Sequence, residues 1–229
     1  MTAISNDIAM LATIIVENKG EERLKALATA IDVTLAVENR KLIGENLRLL
    51  PALVSVIVED KGEARVKAIG TIHNLSLDVD NIKLMVESSI GLLASLVDVI
   101  RDDKEAREKA LGTTWNLSVN PDNMKLTGEP SLGLLTALVS VIVEDDGESR
   151  VKALATSHNL SCDPDNRKIL GEPSLGLLVA LVSAIEKDTG ASRIRALSNT
   201  SNLSLSPDNK KQMGEESIGL IAALVHVIR

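Results

Sequence analysis

The property that most restricts this chain is that it repeats itself. Asn74-Leu75-Ser76 recurs as Asn116-Leu117-Ser118, Asn159-Leu160-Ser161 and Asn202-Leu203-Ser204, at steps of 42, 43 and 43 residues. The pairs Asp80-Asn81, Asp122-Asn123, Asp165-Asn166 and Asp208-Asn209 keep the same steps, as do Arg65, Arg107, Arg150 and Arg193. A degenerate copy precedes them: Arg23, Ala26, Asp32 and Asn39 stand 42 residues before Arg65, Ala68, Asn74 and Asn81. Leu220-Ile221-Ala222-Ala223-Leu224-Val225 opens a further copy. A unit of this length cannot bury its apolar faces alone and does so by stacking on its neighbours. The expected organisation is a single domain over 1–229, with a degenerate unit at about 7–46 and full units at 47–91, 92–133, 134–176 and 177–219. A partial unit follows at 220–229.

Each unit reads as three helices. The stretch 131–142 (Ser-Leu-Gly-Leu-Leu-Thr-Ala-Leu-Val-Ser-Val-Ile) is apolar nearly all round, which fits an inner helix covered by neighbours. An acidic turn with glycine follows, Glu144-Asp145-Asp146-Gly147, and then a long helix from about Glu148 to Ser161. Asp163-Pro164-Asp165-Asn166 breaks that helix, since Pro164 cannot continue it, and Asp165 is placed to cap the next. A short helix from Arg167 to about Glu172 ends near Pro173 and Gly176. No stretch alternates with strand period, so no sheet is expected.

Composition narrows the function. Apolar residues make up 45% of the chain, yet Phe and Tyr are absent and Trp115 is the only aromatic, so the core is aliphatic. The net charge of −7, with both signs interspersed, argues against nucleic acid, which calls for a basic stripe. A lone cysteine, Cys162, excludes an internal disulfide and reads as a small apolar residue in a reducing compartment. The first residues, Met1 to Asp7, do not form a signal peptide, and charges break every apolar run before it reaches membrane-spanning length. The expectation is a soluble intracellular protein, cytoplasmic or nuclear, with no membrane partner.

Asn116-Leu117-Ser118 closing a long helix, then Asn123-Met124-Lys125, Gly133 before an apolar helix, and Leu138-Val139 within it together resemble the armadillo repeat family. The resemblance covers nearly the whole chain. HEAT arrays have two helices per unit and no asparagine ladder, and fit less well. The resemblance implies an all-α fold, a right-handed α-solenoid of three-helix armadillo repeats. In that family the third helices line a concave groove, and their asparagines bind the backbone of an extended peptide. Carried over, the role falls on Asn74, Asn116, Asn159 and Asn202; Asp32 holds the place in the first unit but cannot donate when ionised.

Stepping along the long helix at its 3.6-residue period, the residues four and seven before each asparagine share its face. Four before stand Gly70, Gly112, Ala155 and Ser198; seven before stand Lys67, Lys109, Lys152 and Arg195. Leu75, Leu117, Leu160 and Leu203 point to the core with Ala68, Ala110, Ala153 and Ala196. Each unit therefore offers a cation, a small residue and an amide. Two roles are open to the asparagines: backbone recognition of a peptide, or bonds to loops of their own solenoid. Nuclear-import receptors of the family carry tryptophan where this chain has glycine, alanine or serine, so no cation–π wall for basic side chains is expected. The cations form either a solvated face or an attractor for an acidic segment. Trp115, just before Asn116, is a candidate anchor or a packing residue. His73 and His158, two units apart, are expected to lie on the order of 20 Å from each other, too far to share a metal.

No phosphate-cradling loop, zinc-spaced cluster or nucleophile elbow occurs, and no cofactor is implied. The carboxylates at Glu59-Asp60 and Glu144-Asp145 recur with the repeat and are expected to be solvated turns. A residue present in every unit serves the repeat, whereas catalysis needs an asymmetric constellation. The expectation is a non-enzymatic module that binds a peptide or protein along the third helices. Two alternatives stand beside it. One is a self-assembling scaffold joined through the apolar helix that closes at Arg229; the other is the substrate-recognition part of a larger armadillo protein such as a ubiquitin ligase.

Overall fold

A computed structural model describes residues 3–44 and 48–228. The expected first unit boundary at 46 and 47, with Met1, Thr2 and Arg229, lies outside the described residues. Sixteen α-helices and no strand occur among the described residues. Packing divides the chain into two compact units, Met1–Asn123 and Met124–Arg229.

In the first unit, α1 (Ala3–Glu17), α2 (Gly20–Leu35) and α3 (Val37–Gly44) are followed by α4 (Leu49–Glu59), α5 (Glu63–Leu75) and α6 (Val79–Met85), then α7 (Leu92–Asp102) and α8 (Lys104–Leu117). The apolar helices α1 and α4 pack on each other, as do α4 and α7, while the long helices form a second layer in the order α2, α5, α8. α9 (Pro121–Thr127) spans the division. The second unit repeats the plan with α10 (Leu134–Glu144), α11 (Gly147–Leu160), α12 (Pro164–Leu170), α13 (Leu177–Lys187), α14 (Gly190–Leu203), α15 (Pro207–Met213) and α16 (Leu220–Ile228). There α10 packs on α13 and α13 on α16, and α11 lies against α14. The core is aliphatic throughout. Leu27, Leu53, Ile57, Ile69, Ile72 and Leu96 in one unit, and Leu134, Leu154, Leu160, Ile185 and Leu203 in the other, are fully buried.

Two local expectations need correction. The apolar helix begins at Leu134 rather than Ser131. Pro130–Leu132 forms a single 3-10 turn, and Gly133 sits at φ 74°, a left-handed conformation that breaks the helical path. The cap of the short helix is Asp163, not Asp165. The Asp163 carboxylate accepts the backbone N–H groups of Asp165 and Asn166 at 3.0 and 2.9 Å. Pro164 makes this possible, because proline lacks an N–H that would need a partner and has a φ preset for the first helical position.

The acidic turns are also more than solvated loops. Three of them contribute an aspartate to the recurring arginine of the preceding repeat: Arg23 to Asp60 at 2.7 Å, Arg65 to Asp103 at 2.8 Å, and Arg150 to Asp188 at 2.6 Å. These pairs are largely buried, so they act as register pins between neighbouring repeats. The Asp103 carboxyl shows the balance. Burial pushes it up, but the Ala106 N–H and the Arg65 guanidinium outweigh that and bring it below its ordinary value.

A second asparagine ladder pins the short helices. Asn81, Asn123, Asn166 and Asn209 are buried. Their side-chain N–H groups donate to the carbonyls of Arg40, Ile82, Met124 and Arg167, one repeat back, at 2.9, 3.0, 2.7 and 2.8 Å. Asn81 and Asn123 also donate to Leu75 and Leu117, tying the short helix to the end of its own long helix.

Candidate functional site

The long helices end where the repeated Asn-Leu-Ser stands. The leucine, Leu75, Leu117, Leu160 or Leu203, is buried beside Ala68, Ala110, Ala153 or Ala196, as the helical period requires. With the leucine fixed inward, the asparagine one residue earlier is left at the surface, and all four are half-buried.

Their side chains are held from one side. Asn74 Nδ2 donates to Thr34 Oγ1 at 3.1 Å, Asn116 Nδ2 to Ser76 Oγ at 2.9 Å, and Asn202 Nδ2 to Ser161 Oγ at 3.0 Å. Each hydroxyl belongs to the preceding repeat, two residues beyond that repeat's own ladder position. The serine hydroxyls in turn donate to backbone carbonyls three residues earlier, Ser76 to His73 at 2.7 Å and Ser161 to His158 at 2.6 Å. Serine thus accepts from the asparagine because its own proton is already committed. Asn74 and Asn116 each commit one amide proton to this bond, while Asn202 Nδ2 also lies near His158 Nδ1, the His158 carbonyl and Cys162 Sγ. An amide has a second N–H and a carbonyl oxygen, so the inter-repeat bond fixes its orientation without exhausting it.

The residue four positions before each asparagine is small. Gly112 and Ala155 are buried, while Gly70 and Ser198 are half-buried. A Cβ on Gly70 would meet Ile31 at 3.7 Å, an ordinary contact, so glycine there is not imposed by the backbone. Of the cations, Lys67, Lys152 and Arg195 are half-buried and Lys109 is exposed. Lys67 reaches Glu63 at 3.4 Å and Lys152 reaches Glu148 at 4.0 Å, one turn earlier on the same helix. Trp115 is half-buried, and its carbonyl accepts the Ser118 hydroxyl at 2.7 Å.

His158 adjoins Asn202, with its Nδ1 3.3 Å from the amide nitrogen. Burial and the nearby Arg195 hold its imidazole below the ordinary value, against a raising contribution from the Ser198 backbone. Cys162 is exposed, and its Sγ lies 3.5 Å from Asn202 Nδ2. No group of three or more His, Cys, Asp or Glu that could hold a metal occurs among the described residues. No helix among them is long and apolar enough to cross a membrane.

Sequence reasoning passed over two parts of this surface. The serine of the repeated triplet signals the orienting hydroxyls Ser76 and Ser161, and Thr34 takes the same place in the first repeat. The residue that follows the triplet is apolar or cysteine in every repeat, and it is exposed.

This arrangement of inner, long and short helices with pinned repeats is shared with solved structures. A computationally designed armadillo repeat protein for modular peptide recognition aligns over 96% of this chain and 91% of its own, with a TM-score of 0.85 and 19% identity. The fold is that of the armadillo repeat proteins. A designed armadillo repeat protein in complex with the peptide (KR)4 aligns over 96% and 91%, with a TM-score of 0.83 and 18% identity. An engineered protein solved by a structural genomics consortium covers 99% of this chain and 90% of its own, at 0.82 and 18%. No protein-family model and no curated protein matches the sequence. At this identity the likeness concerns the armadillo fold alone.

Proposed function

We propose that this armadillo array is a non-enzymatic binding module whose long helices take an extended peptide, or an extended segment of a partner protein, along the ladder Asn74, Asn116, Asn159 and Asn202. The observation that carries this is the half-used amide. Asn74 and Asn116 each give one N–H to the preceding repeat, which holds the carboxamide in one orientation at a half-buried surface. A pre-oriented donor and acceptor match a peptide bond whatever side chain it carries, and little entropy remains to be lost on binding. The repeat distance also suits such a ligand. Two extended residues span about 6.6–6.8 Å, less than the interaxial distance of packed helices at about 8–10 Å, so each repeat meets every second residue where the spacing shortens on the ligand's side. The shared fold with proteins designed for modular peptide recognition supports the same reading. The cations Lys67, Lys109, Lys152 and Arg195 flank the ladder and disfavour a basic ligand, and Trp115 stands at its edge.

A random-peptide display selection on the purified chain, with Asn116→Ala/Asn159→Ala as control, tests the proposal. Peptides enriched on the parent and not on the variant support it; equal enrichment on both removes the ladder from the site. A second reading, self-association, is favoured by the exposed Ile221, Val225 and Ile228 on α16. Light scattering over a concentration series separates the two, since a constant monomer mass excludes assembly.

A further inference from the structure

The residue that follows each Asn-Leu-Ser, or Asp32-Val33-Thr34 in the first repeat, is exposed, yet its character is kept. Leu35, Leu77, Val119 and Leu205 are 60%, 51%, 58% and 64% exposed, and Cys162 fills the remaining register position, also exposed. Exposed apolar residues scattered singly need no explanation. A row with one member in every repeat is different, because the register places each member beside the ladder.

Two observations fix that placement. The chain leaves each long helix through a tight turn, in which Leu77, Val119, Cys162 and Leu205 donate their backbone N–H to the carbonyl of Asn74, Asn116, Asn159 and Asn202 at 3.2, 3.3, 3.0 and 3.1 Å. Such i to i−3 bonds eclipse the side chains three apart, so the row residue stands over its own asparagine, toward the end of the helix. At Cys162 the row also reaches the next repeat, where Sγ lies 3.5 Å from the amide nitrogen of Asn202. In each unit the asparagines are therefore bordered on one side by apolar side chains, Leu35, Leu77 and Val119 in one and Cys162 and Leu205 in the other. On the other side stand the small residues and the cations, of which Lys67 and Lys152 face glutamates on their own helices.

An extended peptide whose backbone lies on the asparagines points successive side chains to opposite sides. One set runs toward the ends of the long helices and meets the row; the other runs back over the small residues and the cations. Resting on the groove reading above, we infer that the row Leu35, Leu77, Val119, Cys162 and Leu205 selects the ligand's side chains, and that the ligand is an extended peptide with an aliphatic residue at every second position, alternating with polar ones. The asparagines supply affinity that is blind to sequence, and the row supplies specificity through apolar contact.

The test reads the sequences of displayed peptides enriched on the chain, then titrates one of them into three variants. Leu77→Ser/Val119→Ser/Leu205→Ser removes the apolar row at exposed positions, Leu77→Met/Val119→Leu/Leu205→Met keeps it, and Asn116→Ala/Asn159→Ala removes part of the ladder. Circular dichroism confirms that each is folded. The expected result is aliphatic residues at alternate positions, a loss of about tenfold or more in affinity for the serine variant, and retention in the methionine and leucine variant. Enriched peptides without that alternation, or an affinity unchanged by the serine variant but lost in the asparagine variant, overturn the row and leave the groove standing. No enrichment on the folded chain overturns the groove reading, and the row falls with it.

Discussion

The chain carries two asparagine ladders of the same period, and the structure assigns them opposite consequences. Asn81 is 2% exposed, and its side chain donates to the Arg40 carbonyl at 2.9 Å and to the Leu75 carbonyl at 3.2 Å. Asn81→Ala removes two buried hydrogen bonds at about 0.5–1.5 kcal/mol each and leaves a small void, a loss of about 2 kcal/mol. Asn116 is half-exposed and makes one side-chain bond, to Ser76 Oγ. Losing that bond costs about 0.5–1 kcal/mol, largely offset by about 0.5 kcal/mol from alanine's better helix propensity. The net change for Asn116→Ala is under about 0.5 kcal/mol. Urea unfolding followed by Trp115 fluorescence and helical circular dichroism distinguishes them, because Trp115 is the only tryptophan and lies in the first unit with both sites. The expected outcome is a clear fall in the midpoint for Asn81→Ala and almost none for Asn116→Ala. An Asn116→Ala loss as large as that of Asn81→Ala would refute the separation into a structural and a surface ladder.

Three further outcomes follow from the same contacts. Arg65→Ala strips the partner from a mostly buried Asp103 and is expected to destabilise by about 2–3 kcal/mol in urea titration. Gly133→Ala forces a side chain into φ 74° and is expected to cost about 1–2 kcal/mol by the same assay. Stability is expected to depend on acidity through Asp103. Its carboxyl is depressed in the folded state, so the unfolded chain binds more protons; the contribution is complete above the ordinary carboxylate range and is lost as pH falls through the folded value. Melting temperatures across that range should fall on acidification, less steeply in Asp103→Asn than in the parent.

The fold was legible because a period is read without knowing any coordinates. Asn-Leu-Ser, the recurring arginine and the apolar helices set the repeat, and the buried Leu75 and Ala68, with their counterparts, lie where a 3.6-residue period puts them. What stayed hidden was what crosses from one repeat to the next. Arg65 and Asp103 are 38 residues apart, and Asn116 and Ser76 are 40 apart, so no local pattern joins them. The acidic turn looked solvated because each aspartate was weighed without its arginine. Asp163 does not stand out as a cap in the sequence because Pro164 reads as a break rather than as the first helical residue. The exposed row was missed since Leu77, Val119, Cys162 and Leu205 differ in identity and share only exposure and register.

The central claim is that the half-exposed ladder binds a peptide backbone, and one titration tests it most directly. A peptide enriched by display is titrated by calorimetry into the chain and into Asn116→Ala/Asn159→Ala, with the melting temperature of each recorded. The variant is expected to lose about tenfold or more in affinity while its melting temperature stays close to the parent's. Unchanged affinity, or a loss that merely follows a collapse in stability, would contradict it.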